Sequence, residues 1–530
     1  MVWLLVAIVL VLSLPVLVEL ARSLSAVFDA QDRAVIVDMY GSLSGVMLLV
    51  RSVLIAGGIA LVGTALGIPL GRVLNACFSS GQGGKNRFWA GMLLIPIWLP
   101  AMLVYAAGNL LRAPDTVIGH ALVSFSTSES GLRWVTIWAG YAIATLGLAL
   151  WSAPIAGVLI AAGLGVRTSL YDEMIALEPV GIFRRGYLWI RLHSRALLRA
   201  WVLITTLMLG SAVPMHLAQL DTWSIVLWRE LAQSPIDKWG RVWLGAWPSV
   251  LFGVLGAWVL TRTLVRPHTS ESFADRGHAL AKISKPILGG SVLVWALGAL
   301  GPLIAMLVTL DDLDSVRHFW TLEGSAVIDS GLLALACGGM TMLIALLVAF
   351  ALGSPSGMHR RLGMWSVMGL CVLGLIPGVL VGSAIARSSI PVLTTGWGGA
   401  MLASCVRAGF LGAIIGALCA SAESAERRSV RWQLAGGSLS GWARAVLPSI
   451  VGSIFAAGLV GGLYSMYEIE ASVMVRPPGM DNLPQQLLSD LHYARIEQLS
   501  GAGVNLLGIG LLFGAIASWA LIRVHGRDRG

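Results

Sequence analysis

Long apolar runs separated by short polar segments fill this chain, and their order occurs twice. Runs near 2–21, 47–71, 89–111, 134–163, 197–217 and 243–264 lead into a polar stretch. Six more follow near 288–309, 326–352, 363–386, 395–419, 449–467 and 502–522. Each run is close to the ~20 apolar residues that cross about 30 Å of hydrocarbon. With no water in the bilayer core, backbone N–H and C=O groups must pair within the segment, so each run predicts a helix. Ahead of the fifth run of each set lies a basic, partly amphipathic stretch, Tyr171 to Arg199 in the first set and Ser421 to Pro448 in the second. Leu177-Glu178-Pro179-Val180-Gly181 falls opposite Leu434-Ala435-Gly436-Gly437-Ser438 at an offset of 257 residues, which also sets Pro214 opposite Ala471. Six is an even number, so both sets insert with the same orientation, related by an axis along the membrane normal. The expected fold is all-α: a polytopic membrane protein of about twelve transmembrane helices in two parallel six-helix repeats. The repeats are expected at 1–265 and 288–530, with a polar cytoplasmic linker at 266–287.

Composition agrees with a chain solvated by lipid bilayer. Of 530 residues, 57% are apolar and 12% charged, and the mean hydropathy is +0.81, which no ordinary soluble domain shows. The net charge of +9 does not call for nucleic acid, because the basic residues follow the helix order. With the N-terminus inside, segments 72–87, 165–200, 262–285, 359–361, 427–444 and 523–529 hold 23 of the 36 Lys and Arg. Cytoplasmic loops carry this excess in membrane proteins, so both termini are expected in the cytoplasm. The first run lacks a basic leading segment and is long for a cleaved leader, which makes it a retained helix. Cys77, Cys337, Cys371, Cys405 and Cys419 form no paired motif, and buried packing thiols are the expected reading.

Chemistry-bearing patterns are few. Gly84-Lys85-Asn86 lacks the Ser or Thr that closes a phosphate loop, and Ser79 stands where its first Gly belongs. There is no HExxH, no nucleophile elbow and no catalytic constellation, and no cofactor is expected. Any ATP that drives this chain is hydrolysed on another polypeptide. A short cytoplasmic helix with a Gly turn and a Pro at the next span can lie in a groove of a partner. Arg184, Arg185, Arg191, Arg427, Arg428 and Arg431 favour cytoplasmic placement of those stretches whatever they bind. Inside the spans Arg407 stands out, since a charge at the bilayer centre costs about 2.5–3.5 kcal/mol on an insertion scale. It faces either an interhelical partner or the solute. Glu468, where the eleventh run ends, either lines the solute path or caps the following segment in interfacial water. Asp311, Asp312 and Asp314 form an external acidic loop. The alternative to a partner-driven permease is an ion-coupled secondary transporter with two parallel repeats, which predicts more ionisable residues within the spans.

The two basic stretches resemble the coupling loop of binding-protein-dependent ABC importer permeases, E-A-A, three residues, G, nine residues, I-x-L-P. Glu173 to Pro179 and Ile190-Arg191-Leu192-His193 stand for it in the first half, and Val430 to Gly436 and Ala445-Val446-Leu447-Pro448 in the second. Glu173 keeps the acidic start, Gly436 the turn and Pro448 the ending. Tyr467-Glu468-Ile469-Glu470-Ala471-Ser472-Val473-Met474-Val475-Arg476-Pro477-Pro478-Gly479 is similar to the segment after the penultimate span in the ferric-iron group of these permeases. The fused twelve-span layout resembles that ferric-iron and thiamine branch. The resemblance implies a bacterial inner-membrane pore subunit, not an enzyme, working by alternating access. It implies two ABC ATPase subunits at the loops and an extracytoplasmic substrate-binding protein, with ferric iron the first substrate and thiamine, another small anion or a chelate the others. It further implies that Glu173, Leu177, Glu178, Pro179, Gly181, Leu434, Gly436, Gly437 and Pro448 serve coupling. Glu468, Glu470 and Arg407 are then candidates for the translocation pathway, with Glu468 ahead of Glu470.

Overall fold

The computed structural model describes residues 1–28, 34, 43–79, 90–99, 101–110, 119–121, 123–124, 133–164, 181–217, 220–264, 284–310, 312–388, 390, 397–423, 425–435, 438–476, 482–493 and 495–526. All regular structure among them is helical. The N-terminal half holds α1 (Val2–Ala26), α2 (Leu43–Ser79), a 3-10 turn (Ile95–Trp98), α3 (Ala101–Leu110), α4 (Arg133–Gly163) and α5 (Ile182–Gly210). It continues with α6 (Val213–Leu217), α7 (Trp223–Gln233), α8 (Trp239–Gly245) and α9 (Trp247–Leu264). The C-terminal half holds α10 (Lys285–Trp295), carried by one π turn into α11 (Gly301–Val308), then α12 (Asp314–Gly353), α13 (Gly357–Leu375), α14 (Gly378–Ala386) and α15 (Trp397–Ala422). Last come α16 (Ala425–Ala435), α17 (Leu439–Ala445), α18 (Leu447–Met466), α19 (Ser472–Val475), α20 (Leu483–His492) and α21 (Ile496–Gly526).

Among the described residues eight helices are long and apolar enough to cross a membrane, or ten if each of two bent pairs is one span. Twelve were expected. The run at 89–111 forms a 3-10 turn and the ten-residue α3, about 15 Å long at 1.5 Å per residue and too short to span. The run at 502–522 lies within α21. One bent pair is α13 and α14, which turn by 96° where Pro377 lacks an N–H and cannot continue the ladder. The other is the 3-10 turn plus α8 against α9, bent by 58°. Outward apolar side chains such as Leu335, 76% exposed, and Val11, 64% exposed, suit lipid rather than water.

Helix packing follows two similar clusters. In one, α2, α4 and α5 pack against each other; in the other, α12, α15 and α18 do so. Small residues set the closest approaches. A side chain on Gly338 would lie 2.7 Å from the Gly458 carbonyl, so α12 and α18 pass backbone to backbone. The first helix of each half crosses over. α1 packs mainly on α13, with α12 and α14 beside it and α8 of its own half, whereas α10 packs on α2 and α11 on α3 and α21. The main buried cluster accordingly runs from Leu5 and Leu12 through Ile204 and Ile376 to Phe410.

The described parts of the two basic stretches differ by a break. From Ile182 onward the first is a single helix into the span, so 182–199 and the fifth span are one element. No Pro interrupts residues 182–210. The second is divided into α16, α17 and α18, with a Ser438 side chain accepting from Gly441 N to start α17 and Pro448 in the first turn of α18.

Candidate functional site

Arg407 on α15 enters the bundle where the α13–α14 break leaves backbone carbonyls without helical partners. Its Nη1 donates to Gly374 O at 2.8 Å and to Ile376 O at 2.7 Å. The guanidinium therefore closes the broken end of α13. Its Nε lies 3.8 Å from Glu468 Oε1, with both side chains buried. The same break packs on the end of α5, where a side chain on Gly210 would lie 3.2 Å from Leu375 O.

Glu468 and Glu470 sit in the short non-helical connection between α18 and α19, and both are buried. Glu468 turns back on its own segment: Oε1 accepts from Ala471 N at 2.8 Å and Oε2 from Ser472 N at 3.0 Å. It is an N-terminal cap for α19 that also faces Arg407. Glu470 bonds to the other half of the chain. Its Oε1 accepts from Ala212 N at 2.5 Å and Val213 N at 3.2 Å. Its Oε2 is buried with no hydrogen-bond partner among the described residues. That oxygen rests against Gly378 at the start of α14, where a Cβ would be 2.9 Å from it and 3.1 Å from Glu468 Oε1. Only glycine fits there. Two carboxylates and one guanidinium thus meet at a junction of α5–α6, α13–α14, α15 and α18–α19. Buried charges need such pairing and hydrogen bonding to be tolerated.

The sequence candidates divide into three groups. Arg407, Glu468 and Glu470 come together. Leu434 in the last turn of α16 is 84% exposed, Gly181 is the exposed N-cap of α5, and Pro448 is an exposed residue of α18. Glu173, Leu177, Glu178, Pro179, Gly436 and Gly437, together with Asp311 and the Pro477–Gly479 tripeptide, lie outside the described residues. Asp312 accepts from Asp314 N and Ser315 N and starts α12.

Sequence reasoning missed two buried ionic groups. Glu19, in the last third of α1 and 1% exposed, accepts from Arg387 Nη1 and Arg22 Nη1, both at 2.6 Å. Its signal was a lone carboxylate in an apolar run. Glu423 takes a forked bond from Arg431, Nε to Oε1 at 2.8 Å and Nη2 to Oε2 at 3.0 Å. Arg431 Nη2 also donates to Gly353 O at 3.0 Å, tying α16 to the ends of α12 and α15. Arg431, one of the basic residues of the second stretch, is buried. Cys337, Cys371, Cys405 and Cys419 are buried, and among the described residues no group of three or more His, Cys, Asp or Glu is placed to hold a metal. No protein-family model, curated protein or solved structure matches the chain.

Proposed function

We propose that this chain is the transmembrane permease subunit of an ATP-driven importer, built from two parallel repeats in a bacterial inner membrane with both termini cytoplasmic. It moves a small solute by alternating access, with ferric iron as the first solute to test. ATP is hydrolysed by two separate ATPase subunits at the cytoplasmic stretches, and a binding protein delivers the solute outside. The chain performs no covalent chemistry and holds no cofactor of its own.

The observation that carries the reading is the correspondence of the two helix clusters. Shifted by 257 residues, α5 at 182–210 falls on α17 plus α18 at 439–466, α6 on α19, α7 on α20, and α8 with α9 on α21. α3 packs on α4 and α6 as α14 packs on α15 and α19. Trp151 on α4 donates to Leu99 O at 2.9 Å, at the place where Arg407 on α15 holds Ile376 O. The reciprocal crossing of α1 and α10–α11 is what a two-fold relation requires. Glu470 lies 258 and 257 residues from its partners Ala212 and Val213, so it touches its own counterpart, as a residue near a two-fold axis does. Solute passage between two such halves follows from rocking one against the other. Purification of the tagged chain from its native membrane tests this: an ATPase is expected at two copies per chain, and its absence in mild detergent argues against the reading.

A second reading, the ion-coupled secondary transporter, gains from Glu19, Glu468 and Glu470, three buried carboxylates in the bundle interior. Intramembrane ionisable residues mark ion pathways in such proteins. Uptake that collapses with a protonophore while ATP is intact, with no ATPase attached, selects it.

A further inference from the structure

We infer that Glu470 is a latch that holds the two halves of the chain together across their junction. The inference rests on the reading that solute passes between these halves. The first turn of a helix leaves N–H groups without partners, and a residue within a few positions ordinarily caps them. For α6 the acceptor comes from the other half. Ala212 N and Val213 N both donate to one oxygen of Glu470, from a segment more than 250 residues away. α6 has five residues, and its start follows directly on the end of the span helix α5, so this cap fixes where α5 stops.

The opposite side of the same carboxylate is held by the α14 start. A Cβ on Gly378 would lie 2.7 Å from Glu470 Cβ, and one on Gly382, a turn further along, 2.5 Å from Ala471 O. Glu470 is therefore clasped between the α5–α6 turn and α14. The charged groups whose fields reach it are Arg407 from α15 and Glu468 from its own connection. Glu468 makes its backbone bonds within its own half, so it braces α19 and does not bridge. Separation of the halves at this level cannot occur without breaking the two bonds to Glu470 Oε1. The companion contact Trp243 Nε1 to Ser383 Oγ, at 3.0 Å, joins α8 to α14 and opens with it.

Amide hydrogen exchange of the full chain in nanodiscs tests the latch without requiring transport. Glu470→Ala is expected to speed exchange about tenfold or more in residues 211–217. Residues 377–383 on the other face of the carboxylate are expected to speed up as well. Glu470→Gln keeps the shape and an acceptor oxygen, so it is expected to give a smaller rise in both segments, and it serves if the alanine variant does not fold. Glu468→Gln is expected to change 471–473 and leave 211–217 as in the parent. A rise confined to 211–217 reduces Glu470 to a local cap and overturns the latch, as does unchanged exchange in both segments. Absence of an ATPase partner overturns the proposed function and leaves these exchange results standing on their own.

Discussion

At the scale of single residues, the charges at the junction share one guanidinium. Arg407 closes two carbonyls of a broken helix and faces Glu468, so its removal strips three groups at once. Breaking a buried pair by deleting one partner costs about 3–5 kcal/mol. Arg407→Ala is therefore expected to lower the unfolding midpoint in detergent strongly, and Arg407→Lys to restore only part of it, because one ammonium lacks the planar fork. An unchanged midpoint in Arg407→Ala counts against the pairing. Gly378→Ala forces a Cβ into Glu470 Cβ at 2.7 Å. Overpacking of this kind costs about 1–3 kcal/mol, and the same melting experiment reads it. Arg407 and Glu468 stand out because ionised groups are rare in apolar sequence, whereas Glu470 enters, behind Glu468, only through the resemblance. Their division of labour is not legible in the sequence. The two acids stand two residues apart in non-helical backbone, and only the fold decides that one caps its own segment while the other reaches Ala212. Glu19 obeys the same rule, and its partner, Arg387, is 368 residues away.

At the scale of elements, the hydrophobic pattern located most of the long helices but not their breaks, since Pro15, Pro69 and Pro154 sit inside unbroken helices while Pro377 ends one. The run at 363–386 is long enough for one span, yet it divides at Pro377, whose missing N–H interrupts the ladder, and apolar periodicity carries no information on the 96° bend there. In sequence the two basic stretches match as loops. From Ile182 the first runs unbroken through α5, whereas the matching part of the second is divided between α17 and α18. There the Glu423–Arg431 fork fixes α16 on the ends of α12 and α15 and leaves Val430, Trp432 and Leu434 exposed. Val430 and Leu434 stand one turn apart on this anchored helix, a pair of exposed apolar side chains for a docking partner to cover. Leu434→Glu is expected to reduce the ATPase recovered with the chain several-fold while leaving the melting midpoint unchanged, since Leu434 buries little within the chain. Arg431→Ala is expected to reduce both, because it leaves Glu423 buried without its strongest partner. Full recovery of ATPase with Leu434→Glu removes α16 from the docking surface.

At the scale of the whole molecule, hydropathy shows that a helix meets lipid but not which half it packs against, and the exchange of first helices was therefore invisible in the sequence. α1 lies on α13 and α14, held at its far end by Glu19 to Arg387 and along its length by contacts such as Val9 against Gly369. A Cβ on Gly369 would be 3.3 Å from Val9 Cγ1, compatible with the Cβ separation of about 3.8 Å that a disulfide requires. In a background without the native thiols, the pair Val9→Cys and Gly369→Cys is expected to oxidise within one chain, giving a band of altered mobility at monomer mass. Reporter fusions at Gly277 and Gly530, both outside the described residues, are expected to read cytoplasmic, which places α1 and α10 in the same orientation. Adding Glu19→Ala is expected to lower the yield of the Val9–Gly369 link, because α1 then loses its ionic tie to α14 while the apolar contacts remain. Links that form only between chains would mean that α1 is exchanged with a second copy. No link under any oxidant would place α1 elsewhere, and the reciprocal crossing on which the two-fold argument depends would fall with it.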